Sequence, residues 1–165
     1  MDERRVRIGT RGNLVYEVHT LLQSWPLVKW GSSGHPVPTL QYLLRAHGRQ
    51  VTADGIFGAR TESAVRIFQT AQQLTVDGVV GAQTWGALVS EVSEGSSGDA
   101  VRGVQEEFQF RNLSGDPNLG LRVDGIFGAH TAAAVRGFQR AVLLTPDGIV
   151  GSMTWRALVS GMLSF

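Results

Sequence analysis

Four aspartates draw attention first, because carboxylates can work in pairs as general acid and base when their surroundings push their pKa values apart. Asp54, Asp77, Asp124 and Asp147 each open the same string, Asp-Gly-apolar-apolar-Gly-x-x-Thr. Fourfold repetition argues against a catalytic pair. A turn explains it better: glycine supplies the positive φ, and aspartate accepts from nearby backbone N–H groups. The histidines, His19, His35, His47 and His130, are not spaced with one another or with carboxylates as metal ligands are. The chain lacks cysteine, which excludes disulfides, thiolate nucleophiles and cysteine zinc sites. No Gly-x-Ser-x-Gly elbow is present. The residues therefore point to no catalytic centre, metal or cofactor, and to a protein that binds rather than reacts.

Charge narrows the partners. Fifteen basic and 14 acidic residues leave a net charge of +1, too little for a nucleic-acid field built on counterion release. Lys29 is the single lysine, so the cations are nearly all arginine, the side chain suited to planar contacts with carboxylates. No apolar run approaches the roughly 18 residues needed to span a bilayer, and Met1–Gly9 has no apolar signal core. A membrane partner is not expected, and work at a cell wall would need another route of export or a fusion partner.

The elements that position these residues come from a repeat within a repeat. Asp54-Gly55-Ile56-Phe57-Gly58 returns as Asp124-Gly125-Ile126-Phe127-Gly128, and at the same offset Phe68-Gln69 returns as Phe138-Gln139 and Thr84-Trp85 as Thr154-Trp155. Upstream, Gly31-Ser32-Ser33-Gly34 matches Gly95-Ser96-Ser97-Gly98 at a shorter offset. The second copy therefore carries six extra residues, placed in the loop-like stretch Asn112 to Gly120. Val37, Leu40 and Leu44, and likewise Val101, Val104 and Phe108, have helical spacing. Pro36 stands at the first helical position of one, Asp99 at the N-cap of the other, and Gly48 at a stop. Ala64, Val65, Phe68 and Ala71, with Ala134, Val135, Phe138 and Ala141, predict a second helix in each copy. Trp85, Leu88 and Val89, with Trp155, Leu158 and Val159, predict a short third. Residues just before each Asp-Gly are expected to pair as brief extended pieces. The expected fold is all-α: two tandem three-helix bundles with Asp-Gly turns, plus an extra N-terminal helical segment. The bounds are 1–24 for that segment, 25–90 for module 1, 91–98 for a linker and lead-in, and 95–161 for module 2.

The string Gly-x-x-Gly-x-x-Val-x-x-Leu-Gln, then Asp-Gly-Ile-Phe-Gly-x-x-Thr-x-x-Ala-Val-x-x-Phe-Gln, then Asp-Gly-Val-Val-Gly-x-x-Thr-Trp-x-x-Leu resembles the bacterial type 1 peptidoglycan-binding module. It does so twice, over about four-fifths of the chain, and Trp25-Pro26 with Tyr42-Leu43-Leu44 looks actinobacterial. The resemblance implies a non-catalytic three-helix fold that attaches cell-wall hydrolases, phage lysins and spore-wall enzymes to peptidoglycan. It implies peptidoglycan or a muropeptide as partner, a hydrolase as a possible second partner, and a cell-wall or extracellular location if exported. An interaction or scaffold protein that keeps the fold and binds another protein is the alternative. Where the family often has glycine at the end of the second helix, this chain has Gln73 and Leu143; that end is expected to close differently.

The ligand is expected in a shallow groove beside the Asp-Gly-Ile-Phe-Gly loop and first helix. The candidates there are Gln41, Asp54, Phe57, Arg60, Thr61 and Gln69, with Gln105, Asp124, Phe127, His130, Thr131 and Gln139 in the second copy. Each glutamine follows an apolar core position, so it either fastens a turn backbone or presents its amide to a peptide. Each threonine falls in a first helical turn, where its hydroxyl can satisfy a loose backbone group. Arg60 and His130 precede that threonine, close to a helix N-terminus that favours an anion such as a stem-peptide carboxylate; the other reading is a solvated charge. Trp85 and Trp155 fit the core better than a sugar-stacking face, and Trp25 and Trp30 fall outside that stripe.

Overall fold

A computed structural model describes residues 23–112 and 120–162. The proposed helical segment 1–24 lies almost wholly outside the described residues, as does most of the six-residue insertion. Six helices are present among the described residues. Module 1 has α1 (Val37–Ala46), α2 (Ala59–Ala71) and α3 (Ala82–Leu88); module 2 has α4 (Asp99–Phe110), α5 (Ala129–Ala141) and α6 (Ser152–Val159).

Apolar periodicity explains α1: Val37, Leu40, Leu43 and Leu44 are fully buried along one face. It ends where Gly48 takes φ +80°, so that the Arg49 N–H reaches back to the Leu44 carbonyl. In α4 the N-cap is Gly98, and Asp99 is the first helical residue rather than the cap. There its carboxylate faces the positive helix end and pairs with Arg102 at 2.9 Å. The stripes of α2 and α5 are narrower than expected. Ala71 and Ala141 are exposed and Ala134 half-buried, and Ala132 is buried instead. Trp85 and Trp155 are fully buried, as a core role requires. Their indole N–H groups donate to the Pro26 and Ser90 carbonyls, both at 2.8 Å. Trp25 stacks on Trp85, whereas Trp30 is exposed.

Short extended pairings do occur, but after each Asp-Gly rather than before it. They are Ser33 with Ile56, Val28 with Val80, Ser97 with Ile126, and Val92 with Val150. The turn reverses the chain, so its outgoing limb is the one laid alongside the lead-in. Residues 91–98 are consequently not a free tether. Val92 exchanges backbone hydrogen bonds with Val150, and the Ser96 carbonyl accepts from Phe127.

The end of the second helix is a further departure. Gln73 and Leu143 adopt the left-handed conformation, φ +59° and +63°, without being glycine. The backbone closes there as a glycine would close it, with Leu74 N–H on the Gln69 carbonyl and Leu144 N–H on the Gln139 carbonyl.

The modules share one buried core, and their first helices form the seam. Arg45 meets Asp99, Thr39 meets Gly103 and Glu107, and His35 meets Glu107 and Phe110. Contacts run in opposite order along α1 and α4, so the two copies of one helix pack antiparallel, about an approximate two-fold axis near Thr39 and Gly103. The helices come close at that crossing, where a Cβ on Gly103 would meet Trp155 at 3.4 Å and the Thr39 methyl at 3.6 Å in ordinary van der Waals contact. Glu107 is fully buried yet satisfied by Thr39 Oγ1 and His35 Nε2 at 2.8 Å and by Arg111 Nη1 at 2.9 Å. Arg111 also donates to the Leu158 and Met162 carbonyls. Burial lowers the Arg111 pKa and Glu107 opposes the shift.

Candidate ligand site

The glutamines settle first. Each belongs to one helix and fastens the Asp-Gly turn that leads into the next. Gln41 Nε2 donates to Asp54 Oδ1 at 3.0 Å, to the Ile56 carbonyl at 3.1 Å and toward Thr61 Oγ1 at 3.1 Å, while its Oε1 accepts from Gly55 N–H at 2.8 Å. Gln69 does the same with Asp77, Val79, Thr84 and Gly78. Gln105 and Gln139 repeat it in module 2. The aspartate completes the turn by accepting from the N–H two residues on, at 2.9–3.0 Å in all four. Those bonds, from Ile56 N–H first and Gln41 second, hold Asp54 below the usual carboxylate range. Asp124 is lowered likewise by Ile126 and Gln105. Asp77 is lowered by Val79 and, against some desolvation, by Gln69.

This geometry removes most of the predicted contacts from the surface. Gln41, Gln69, Gln105 and Gln139 are buried with their amides spent on turns. Thr61 and Thr131 are buried under the same amides, and Phe57 and Phe127 are core side chains. The aspartates are exposed at their edges but committed to their turns. Of the twelve candidates, Arg60 and His130 alone both face solvent and carry no turn bond. They stand one residue into α2 and α5, whose N-caps Gly58 and Gly128 provide no side-chain hydrogen bond.

Two kinds of concavity open on the surface, and Arg60 lines one of them. One recurs in both modules, between the end of the second helix and the start of the third. Leu74, Thr75, Asp77 and Val79 line about 290 Å³ in module 1; Leu144, Thr145, Asp147 and Ile149 line about 430 Å³ in module 2. The other occurs at one end of the seam, where Arg45, Arg49 and Arg60 open onto a cleft of about 720 Å³. Arg45 and Arg49 were not among the sequence candidates. The signal for them was their lack of a cationic counterpart in the repeat, since Gln109 stands where Arg45 does. No group of three or more metal-ligating side chains gathers among the described residues, and no helix among them is long and apolar enough to cross a membrane.

A small three-helix module locked by glutamine-fastened turns, present twice and open at its surface clefts, defines a class of compact binding module. The family model "Putative peptidoglycan binding domain" matches residues 33–88 and 97–158, and the chain belongs to that family, in two tandem copies. The chain is 46% identical over 67 residues to the Kitasatospora aureofaciens "Uncharacterized protein in bpoA1 3'region", covering 41% of this chain and 53% of that one. It is 44% identical over 77 residues to the "Zinc D-Ala-D-Ala carboxypeptidase" of Streptomyces albus G, covering 46% of this chain and 27% of that one. The chain thus spans about half the length of one curated relative and about a quarter of the other. Among solved structures, the SleB N-terminal domain is 39% identical, with a TM-score of 0.38 over 39% of this chain and 90% of that one.

Proposed function

We propose that this chain is a non-catalytic binder of cell-wall peptidoglycan that engages the polymer through both modules and recognises its stem peptide. The observation that carries the reading is the family match, repeated in order along one chain. The matched clefts beside the second Asp-Gly turn of each module support it, because a repeated surface on a rigid pair suits a repeating polymer and gains by avidity. Stem-peptide recognition is supported by Arg60, exposed at the start of α2 where an anion is favoured. The place of action is then the cell wall, once the protein is exported.

Sedimentation with purified sacculi tests the reading. The protein is expected in the pellet at low and moderate salt; a protein that stays in the supernatant under both conditions sinks it. The match to part of a zinc D-Ala-D-Ala carboxypeptidase favours one second reading, in which these modules anchor a hydrolase. Muropeptide release from sacculi by a complex that contains this chain, and none by the chain alone, would support that role.

A further inference from the structure

The approximate two-fold axis through the seam should produce two equivalent ends, and the sequence has made them unlike. At one end Arg45, Arg49 and Arg60 line an open cleft of about 720 Å³ together with Gln50, Thr52 and Asp99. At the other end the cleft shrinks to about 230 Å³, lined by His35, Pro38, Glu106, Gln109 and Phe110, and His35 stacks on Phe110 at 3.8 Å between ring centroids. We infer that the arginine-lined end of the seam, formed by module 1 and bordered by Asp99 of module 2, is a single binding site for the carboxylates of a peptidoglycan stem peptide.

The guanidinium groups are available. Arg60 makes no hydrogen bond or ion pair within the described residues and is exposed. Arg49 spends only its Nε, on the His47 carbonyl at 3.3 Å. Arg45 lies over the Tyr42 ring and reaches Asp99 at 3.4 Å. Asp99, the one acid in the lining, is already paired more closely with Arg102, at 2.9 Å, so the cleft keeps an excess of positive charge. Guanidinium groups present paired N–H donors that match a carboxylate, and Gln50 and Thr52 offer polar contacts to the adjoining peptide. The three arginines, Gln50 and Thr52 all belong to module 1, and module 2 contributes only Asp99, at the margin of the cleft. The assignment rests on the peptidoglycan reading above and adds where, and how many times, the stem peptide is held.

The test uses the full chain and two probes, N-acetylmuramyl pentapeptide with a free C-terminal carboxylate and its C-terminal amide, titrated by calorimetry. One site per chain is expected, with the amide binding more weakly. Arg49→Gln/Arg60→Gln should weaken the free acid by roughly tenfold or more, the loss expected for a charge-assisted hydrogen bond, with an unchanged urea midpoint. Arg122→Gln/Arg140→Gln, which removes the same charge from exposed positions of module 2, should change binding less than about twofold. Unaltered binding of peptide and sacculi by Arg49→Gln/Arg60→Gln, or two peptides per chain, overturns the seam site and leaves the peptidoglycan reading standing. Failure of the unmodified protein to bind sacculi overturns that reading itself. If sacculi lose the protein when stripped of phosphodiester polymers, and the peptide does not bind, the ligand is a phosphate and the carboxylate assignment is wrong.

Discussion

Gln69 offers the sharpest test of how this fold is held. Its amide donates to Asp77, Val79 and Thr84 and accepts from Gly78 N–H, with all four distances between 3.0 and 3.1 Å. Gln69→Leu keeps the volume and deletes the polar contacts, leaving the buried Gly78 N–H and the Thr84 hydroxyl without their partner. Each buried group left unsatisfied costs about 1–3 kcal/mol. The greater apolarity of leucine returns about 1 kcal/mol, for a net loss of about 3 kcal/mol. Set against a typical total of about 5–15 kcal/mol, that loss should lower the melting temperature by roughly 6–12 °C for a chain of this length. Gln69→Glu separates donation from acceptance. A carboxylate still accepts from Gly78, but it meets the Asp77 carboxylate and the Val79 carbonyl where the amide had donated. Its folded pKa should lie above its unfolded one, so the variant is least impaired below the unfolded carboxylate pKa and worsens as pH rises through the folded value. Urea unfolding of both variants beside the unmodified protein, at about pH 4 and pH 7, is the assay. A Gln69→Leu cost under about 1 kcal/mol, or a Gln69→Glu penalty that does not grow with pH, would refute the clasp as the lock of the turn. The same substitutions at Gln41, Gln105 and Gln139 should behave alike, because the geometry is repeated.

Gln73→Gly and Leu143→Gly should each raise stability by about 1 kcal/mol, since a left-handed residue other than glycine is strained by about 1–2 kcal/mol; a fall in the urea midpoint would contradict this. Asp54, Asp77 and Asp124 have lowered folded pKa values, so their contribution is present above the unfolded aspartate pKa and fades as pH falls through the folded values. Stability should therefore decline on the acid side, and less so in Asp77→Asn, as an acid series of melting curves will show. Glu107→Gln should cost about 3–5 kcal/mol by leaving Arg111 buried without its counter-charge. Because the seam joins one core, the unmodified chain should unfold in urea in a single transition; two well-separated steps would show that the modules fold apart.

The sequence by itself determined the repeats, the six helices and the four turns. Periodicity of Val, Leu and Phe shows a helix's apolar face directly, and Asp-Gly has few conformations open to it. It also placed Trp85 and Trp155 in the core. Only the tertiary structure decided what the glutamines do. A glutamine after a core residue is compatible with ligand or scaffold, and the choice depends on a turn 8 to 20 residues away meeting its amide. The sequence marked Gln73 and Leu143 as departures from glycine but not that they keep the left-handed conformation, because packing around the helix end overrides the local preference. The seam is the furthest from sequence. Glu107, Arg111 and His35 read as ordinary charged or polar residues on helix and loop, and they become a buried network only when α1 and α4 pack antiparallel. Module 1 itself gathers Arg45, Arg49 and Arg60 where its first and second helices meet, and the packing sets Asp99 beside them and leaves a smaller cleft at the opposite end. Local patterns specify local structure, whereas a network shared between modules is set by the approach of distant surfaces.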